Sequence, residues 1–172
     1  EPYALDVGTV QHSVSIGAVL SVDGTATVDG MLQAADVALY QAKQDGRNTM
    51  RVFQPDMQAR VDFRWKLEGR LRDGFANDLL HVCYQAQVDA DGALVGAEAL
   101  MRWTDRDGVS VPPGDFIQVA EESGFIDVLG GWSLRTACEQ MVRWRGRLPE
   151  GFRVAVNLSA PEFTRPDFPQ RV

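Results

Sequence analysis

The chain has 172 residues, of which 45% are hydrophobic, and it carries a formal net charge of −7 at pH 7. This length and apolar share are enough for one sizeable core or two small ones. The acidic balance argues against a general nucleic-acid binder, which is normally basic, and suits a site that collects a divalent cation. No apolar run approaches the roughly 20 residues of a membrane span, so no membrane segment is predicted in this chain.

Cysteine and histidine usage narrows the class further. Cys83 and Cys138 stand far apart in apolar surroundings, which is typical of reduced core residues in a cytoplasmic protein. His12 and His81 stand alone, so neither a zinc site nor a Ser-His-Asp triad is indicated. The start of the chain lacks Met and a signal-peptide pattern, so we expect a piece of a longer cytoplasmic protein. A membrane anchor in an N-terminal region outside this sequence remains open.

The first part of the chain predicts a strand, a helix and a strand. Residues 12–22 are rich in β-forming residues. Residues 29–46 show apolar spacing near 3.6 residues, with Asp29 as a candidate cap and Gly46 at the end. Residues 48–53 read as a short strand.

A long charged helix follows. It is predicted to begin at Pro55 and to run to about residue 75, with a pair such as Glu68 and Arg72 at four-residue spacing. We interpret residues 54–78 as a helical connector between two β-rich regions and place the domain boundary inside it.

The second half of the chain predicts the order β-β-α-α-β, which suits a barrel or a doubly wound sheet. The Asp-Ala-Asp-Gly turn joins the first two strands, and the glycines at 130–131 are expected in the first turn of the second helix. The predicted elements cover residues 79–89, 92–103, 112–124, 128–146 and 152–160.

Two strands in this half carry polar residues on one face. Strand residues alternate faces, so Glu98 and Arg102 share one face of their strand, and the other face is uniformly apolar. Asn157 falls on the polar face of the last strand by the same count. Burying a carboxylate at a strand centre is costly without a cation or donors. The alternation by itself favours an internal ion pair or an edge strand with one solvent-exposed face. The alternative is a site on the inner face of a sheet or barrel.

Several motifs in order resemble two linked families. "ADVALYQAKQDGRN" at 35–48 resembles the final helix and loop of GGDEF domains, the diguanylate cyclases. "YQAQV", "GAEALMRW", "PPGDFIQVAEESGFI" and "VAVNLSA" resemble the N-terminal part of EAL domains, the cyclic di-GMP phosphodiesterases. The resemblance implies a GGDEF-like C-terminal tail at 1–53 and an N-terminal EAL-like portion at 79–172. The expected fold class is α/β, an incomplete (β/α)₈ barrel preceded by the tail of an α/β domain.

The resemblance also implies a chemistry. EAL domains are modified (β/α)₈ barrels that use Mg²⁺ or Mn²⁺ to hydrolyse cyclic di-GMP to linear pGpG. By resemblance, Glu98 and Asn157 are metal ligands, and Gln85, Leu100 and Arg102 contact the dinucleotide. Hard cations prefer carboxylate and amide oxygens, and an arginine fork suits a phosphate.

Other candidates have strong structural alternatives. Glu121 is a candidate to orient the site, although it first suggests a solvated helix end. Lys43 and Arg47 match the cyclase pair that contacts a triphosphate, but cations near a helix C-terminus also favour the dipole, and we prefer that interpretation. Without the resemblance, Asn157 would be interpreted as a turn asparagine at a strand end.

Departures from the families limit the expected activity. Ala86 replaces the family's proline, and the chain contains no "DDFGTG"-like segment, no later glutamate ligand, no general-base lysine and no "GGDEF" turn. We therefore expect cyclic di-GMP signalling by a phosphodiesterase of which this chain is an inactive junction fragment. The alternative is a degenerate module that binds cyclic di-GMP or a protein partner without turnover. Exposed sheet edges and apolar strand faces, such as 95–101 and 154–158, predict self-association through the EAL portion if these residues are the whole molecule. If they are cut from a larger chain, we expect further barrel strands and helices to cover the same faces.

Overall fold

The computed structural model describes residues 2–5, 8–21 and 27–159. These form a mixed α/β structure, which confirms the predicted class. The chain divides into two compact units between Trp65 and Lys66, and each unit is described by itself below. None of the helices in the described ranges has the length and apolarity needed to span a bilayer.

The first unit contains two small sheets and a crossover helix. Strands β1 and β2 pair in antiparallel fashion, and β3 and β4 pair in parallel on either side of helix α1 in the chain. The bounds are β1 Pro2–Leu5, β2 Gly8–Gln11, β3 Ile16–Ala18, α1 Val28–Gln44 and β4 Met50–Val52. The strand predicted at 12–22 is therefore shorter than expected, and its final residue lies outside the described ranges.

Helix α1 is capped by a different residue from the one predicted. The Thr27 Oγ1 accepts a hydrogen bond from the Gly30 backbone N–H at 3.2 Å. Asp29 lies inside the first turn, because the helix begins one residue before it. There its charge still favours the positive end of the helix dipole. Gly46 follows the helix end with a φ of 97°, as expected of a glycine at this position.

Helix α2 runs from Pro55 to Ala76, close to the prediction. Its first half helps to close the small core of the first unit, which comprises Val37, Ala38, Met57, Phe53 and Val61. The predicted Glu68–Arg72 ion pair is confirmed, with 3.0 Å between Glu68 Oε1 and Arg72 Nη2. Both side chains are partly exposed to solvent, so the pair adds little stability.

The second unit is built on a four-stranded sheet with β6 at its centre. Strand β5 pairs with β6 in antiparallel fashion along most of its length. Strands β7 and β8 share the other edge of β6, β7 antiparallel and β8 parallel. The bounds are β5 Leu80–Val88, β6 Leu94–Thr104, β7 Ser110–Val111, α3 Pro113–Glu122, α4 Ile126–Trp144 and β8 Arg153–Val156.

Two similar aspartate turns shape this sheet. Asp89 Oδ1 accepts the backbone N–H groups of Asp91 and Ala93 at 3.0 and 2.9 Å, and this turn closes the β5–β6 hairpin. Asp105 Oδ1 accepts those of Asp107 and Val109 at the same two distances and closes β6–β7. In each turn the fourth residue is a glycine with positive φ, a conformation that costs other residues energy.

The core of the second unit lies on one face of the sheet. Helices α2, α3 and α4 supply its other walls, and Trp103 of β6 packs edge-on against Phe116. The buried members are Leu67, Leu71, Leu80, Trp103, Val111, Phe116, Val119, Ala120, Phe125, Ile126 and Leu129.

The expectation that the apolar face of 95–101 stands exposed is therefore wrong for most of that strand. Ala97 and Ala99 are buried, and only Val95 at the start of the face is largely exposed. The helices within this same unit cover the apolar face, so the opposite, polar face is the one left open.

Two smaller expectations also change. Helix α4 begins at Ile126, so the glycines at 130–131 fall after its first turn. Cys83 and Cys138 are free thiols, as expected, but both are exposed and neither is a core residue. Cys83 is exposed because it lies on the open face of β5.

Candidate functional site

The open face of the sheet is a ladder of cross-strand pairs. Gln85 of β5 lies directly opposite Glu98 of β6 in the antiparallel register. Leu100 and Arg102 follow along the same face of β6, because alternate residues share a face. Glu98, Leu100 and Arg102 are half-buried and Gln85 is exposed. The alternation of residues along the strand thus identified the polar face of β6 correctly.

Strand β8 brings the candidate metal ligands together. It pairs with β6 in parallel, with Ala155 in register with Glu98, and Asn157 follows its last residue. Asn157 Nδ2 donates a hydrogen bond to Glu98 Oε1 at 2.7 Å, although the two residues are 59 positions apart in the chain. The prediction that Glu98 and Asn157 lie close together is confirmed. The strand predicted at 152–160 is shorter than expected, however, because β8 ends at Val156 and Asn157 lies just after it.

Gly96 allows β8 to approach this closely. A Cβ at position 96 would lie 2.8 Å from the Arg153 backbone oxygen and 3.0 Å from Gln87 Oε1. The first distance is below the contact limit, and a backbone atom in a paired strand cannot move aside cheaply. A glycine two residues before Glu98 therefore contributes to the spacing between Glu98 and Asn157.

The Glu98–Asn157 pair has the donor chemistry of a hard-cation site. A carboxylate and a side-chain amide both offer oxygens that suit Mg²⁺ or Mn²⁺. The hydrogen bond engages the amide nitrogen and leaves Asn157 Oδ1 available beside the carboxylate. Within the described ranges, no cluster of three or more His, Cys, Asp or Glu is placed to hold a metal. The pair fits a divalent ion as part of a ligand set, and it is too small to be a complete one.

Arg102 is placed to receive an anion. Its Nη1 donates to the Met101 backbone oxygen at 2.8 Å, which holds the guanidinium at the carboxyl end of β6. A guanidinium carries five N–H donors, so others remain for a ligand. The open face thus carries a carboxylate, on Glu98, that can bind a cation and a guanidinium, on Arg102, that can bind an anion.

Glu121 does not join this group. It lies near the end of α3, where its side chain is exposed. Helix α3 packs through Phe116 on Trp103, which faces away from Glu98 on β6. The described contacts therefore give Glu121 no direct link to the pair, and an orienting role stays a prediction.

Lys43 and Arg47 lie in the first unit and both are exposed. Lys43 is in the last turn of α1, where a cation favours the helix dipole. Arg47 follows Gly46 in a left-handed conformation, with a φ of 62°. Their proposed phosphate role has no further support in these contacts.

The Asp45 carboxylate holds the turn around Gly46 and Arg47. Asp45 accepts hydrogen bonds from Arg51 Nε at 2.5 Å and from Gln41 Nε2 at 2.8 Å. These two donors lower the pKa of the Asp45 carboxyl below its usual value. The strained turn is thus fixed to α1 and to β4.

Sequence reasoning missed two residues on the open face. Cys83 lies opposite Leu100, and His81 lies opposite Arg102. Both side chains are exposed. Counting back from Gln85 in steps of two would have found them, because residues two apart share a face. Tyr84 points the other way and packs edge-on against Trp144, and burial raises the pKa of its hydroxyl.

Comparison with known families agrees with the motifs. The family model for the EAL domain matches residues 68–172. The chain belongs to the EAL domain family. The family model for the diguanylate cyclase GGDEF domain matches residues 1–49, so the predicted order of GGDEF followed by EAL is confirmed. EAL phosphodiesterases generally depend on a divalent metal.

Similar proteins include named cyclic di-GMP enzymes. The chain is 38% identical over 160 residues to the cyclic di-GMP phosphodiesterase PdeR of Escherichia coli (strain K12), covering 92% of this chain and 24% of PdeR. It is 35% identical over 164 residues to the bifunctional diguanylate cyclase/cyclic di-GMP phosphodiesterase MucR of Pseudomonas aeruginosa, covering 95% and 24%. The chain thus spans about a quarter of either relative.

A solved complex supports the fold. The PaMucR phosphodiesterase with bound c-di-GMP matches at a TM-score of 0.59 and 35% identity, over 62% of this chain and 44% of that chain. The second unit is therefore part of an EAL domain, and the expected incomplete barrel is confirmed.

Proposed function

We propose that this chain supplies the first strands of a divalent-metal site that binds and hydrolyses cyclic di-GMP. The observation that carries the proposal is the 2.7 Å contact between Asn157 Nδ2 and Glu98 Oε1 on the open face of the sheet. The similarity to phosphodiesterases named for cyclic di-GMP supports the substrate.

In this proposal, Glu98 and Asn157 hold a Mg²⁺ or Mn²⁺ ion through side-chain oxygens. When bound, such an ion activates a water and neutralises charge on a phosphodiester. Arg102 binds a phosphate of the dinucleotide through its free N–H groups, while Leu100 and Gln85 line the site beside it. Gln85 offers both a donor and an acceptor, which suits the polar edge of a guanine.

The 172 residues by themselves are expected to bind weakly and not to turn over. Two protein oxygens fall short of the six ligands that Mg²⁺ requires. The sequence also lacks the general-base lysine of the family. Incubation of the purified chain with cyclic di-GMP and Mg²⁺, followed by chromatography, is expected to yield no pGpG. Metal-dependent product, with a Glu98→Gln control to exclude contaminating enzyme, would contradict this expectation.

A chimera tests the proposed function itself. Residues 79–159 replace the matching segment of the MucR phosphodiesterase, and that domain supplies the remaining strands. We expect metal-dependent hydrolysis of cyclic di-GMP that Glu98→Gln and Arg102→Ala abolish. A chimera that binds the dinucleotide without turnover would support the degenerate binding module. A folded chimera that does neither would refute the proposal.

A further inference from the structure

The last cross-strand pair of the open face joins two nitrogen-rich side chains. His81 of β5 is the register partner of Arg102 of β6, and its side chain is exposed. It lies on the same face as Gln85 and Glu98, two pairs further along the strands. The ladder therefore has an acidic position at Glu98 and, separated from it by the Cys83–Leu100 pair, a basic position at His81 and Arg102.

The two positions on the open face therefore differ in the charge of the ligand that each can bind. The carboxylate of Glu98 lies beside the Asn157 amide and suits a cation. Arg102 has no side-chain carboxylate partner among the described residues, and its one described hydrogen bond goes to the Met101 backbone oxygen. An anion is the natural partner for the remaining guanidinium donors.

His81 is within reach of the same anion. Directly opposed residues in an antiparallel pair have Cα atoms about 4.5–5.5 Å apart, and their side chains point to the same side. An imidazole always carries at least one N–H donor, whichever tautomer is present. A phosphate oxygen held by Arg102 can therefore accept a second hydrogen bond from His81.

We propose that His81 is a second phosphate-binding residue, which together with Arg102 holds a phosphodiester of the cyclic dinucleotide. The inference rests on the proposed function and adds to it a specificity residue from β5. It assigns the anion to two strands rather than one, so the β5–β6 register becomes part of ligand recognition.

The 172-residue chain allows a direct test by NMR. It contains only two histidines, so two imidazole Cε1–H signals report on His12 and His81. During titration with cyclic di-GMP and Ca²⁺, we expect the His81 signal to shift saturably together with the Arg102 backbone amide, while the His12 signal stays in place. A His81→Gln variant assigns the two signals.

Affinity measured by the same titration tests the contribution of the side chain. Loss of one hydrogen bond to a charged group predicts about tenfold weaker binding for His81→Ala. His81→Gln keeps a hydrogen-bond donor, so its affinity is expected to lie between those of the unchanged chain and His81→Ala. Gln87→Ala, on the same face of β5 but at the far end of the ladder, is the matched control and should change nothing.

The outcomes separate the two proposals. If the Gln85 and Arg102 amides shift and Arg102→Ala removes binding, but the His81 ring and the His81→Ala affinity do not respond, the His81 inference is wrong and the proposed function stands. If no signal on this face shifts saturably, the His81 inference is overturned, and the chimera described above decides the proposed function.

Discussion

Replacing Gly74 by alanine tests how tightly α2 is fitted to the strand that carries the candidate site. A Cβ at position 74 would lie 2.9 Å from Trp103 Nε1 and 3.2 Å from Trp103 Cε2. Trp103 is 1% exposed and packs against Phe116, with the Arg70 guanidinium 5.6 Å from its ring centre. The indole therefore cannot swing away without disturbing the core.

Two opposing terms set the expected magnitude. Forcing an extra methyl into a packed core costs about 1–3 kcal/mol. Alanine in place of glycine inside a helix gains about 1 kcal/mol. Gly69 lies in the same helix, and a Cβ added there would meet nothing within 4 Å, so Gly69→Ala should show only the gain. The difference between the two variants is then the packing cost alone, about 1–3 kcal/mol.

Urea unfolding followed by tryptophan fluorescence and near-ultraviolet circular dichroism measures both variants. We expect Gly69→Ala to raise the free energy of unfolding of the second unit and Gly74→Ala to lower it or leave it unchanged. If Gly74→Ala stabilises the protein as much as Gly69→Ala does, the described contact between α2 and Trp103 is wrong.

Further predictions concern the site and its surroundings. Gly96→Ala should push β8 away from β6, because the new Cβ would meet the Arg153 backbone oxygen at 2.8 Å. We expect calorimetry to show a weaker Mg²⁺ affinity at Glu98. An unchanged affinity would show that Gly96 does not set the spacing between the two strands. The folded-state pKa of Asp45 is lowered by its donors, so the unfolded chain takes up the proton first as the pH falls. The stabilisation is therefore present above about pH 4 and is lost below it. In thermal unfolding between about pH 2 and 6, the melting temperature of Asp45→Asn should fall less towards low pH than that of the unchanged chain. Equal decreases would rule this account out.

Local patterns in the sequence were sufficient to predict most of the second unit. Alternation placed Glu98 and Asn157 on the polar faces of their predicted strands, and the aspartate turn at 89–92 predicted the β5–β6 hairpin. The same four-residue pattern at 105–108 could have predicted β7, but two-residue strands leave no alternation to read. The role of Thr27 as cap was missed because Thr and Asp both cap helices and only the position of the first turn decides between them.

Features that depend on long-range packing were beyond sequence reasoning. Ala97 and Ala99 are buried on β6, which contacts helices α3 and α4 later in the chain, and the docking of these helices cannot be read from the strand itself. Gly96 and Gly74 look alike as sequence, yet one admits a β8 carbonyl and the other an indole ring. The residue opposite Arg102 depends on the strand register, which the turn geometry fixes.

The central claim is that Glu98 and Asn157 together bind a divalent cation, and Mn²⁺-induced line broadening in the ¹H–¹⁵N spectrum of the chain tests it most directly. At low Mn²⁺ we expect amide signals around Glu98, Gln85 and Asn157 to broaden first, and Glu98→Gln to remove the effect. Broadening that begins at the aspartates of the 105–108 turn, with the signals around Glu98 unchanged, would contradict the claim.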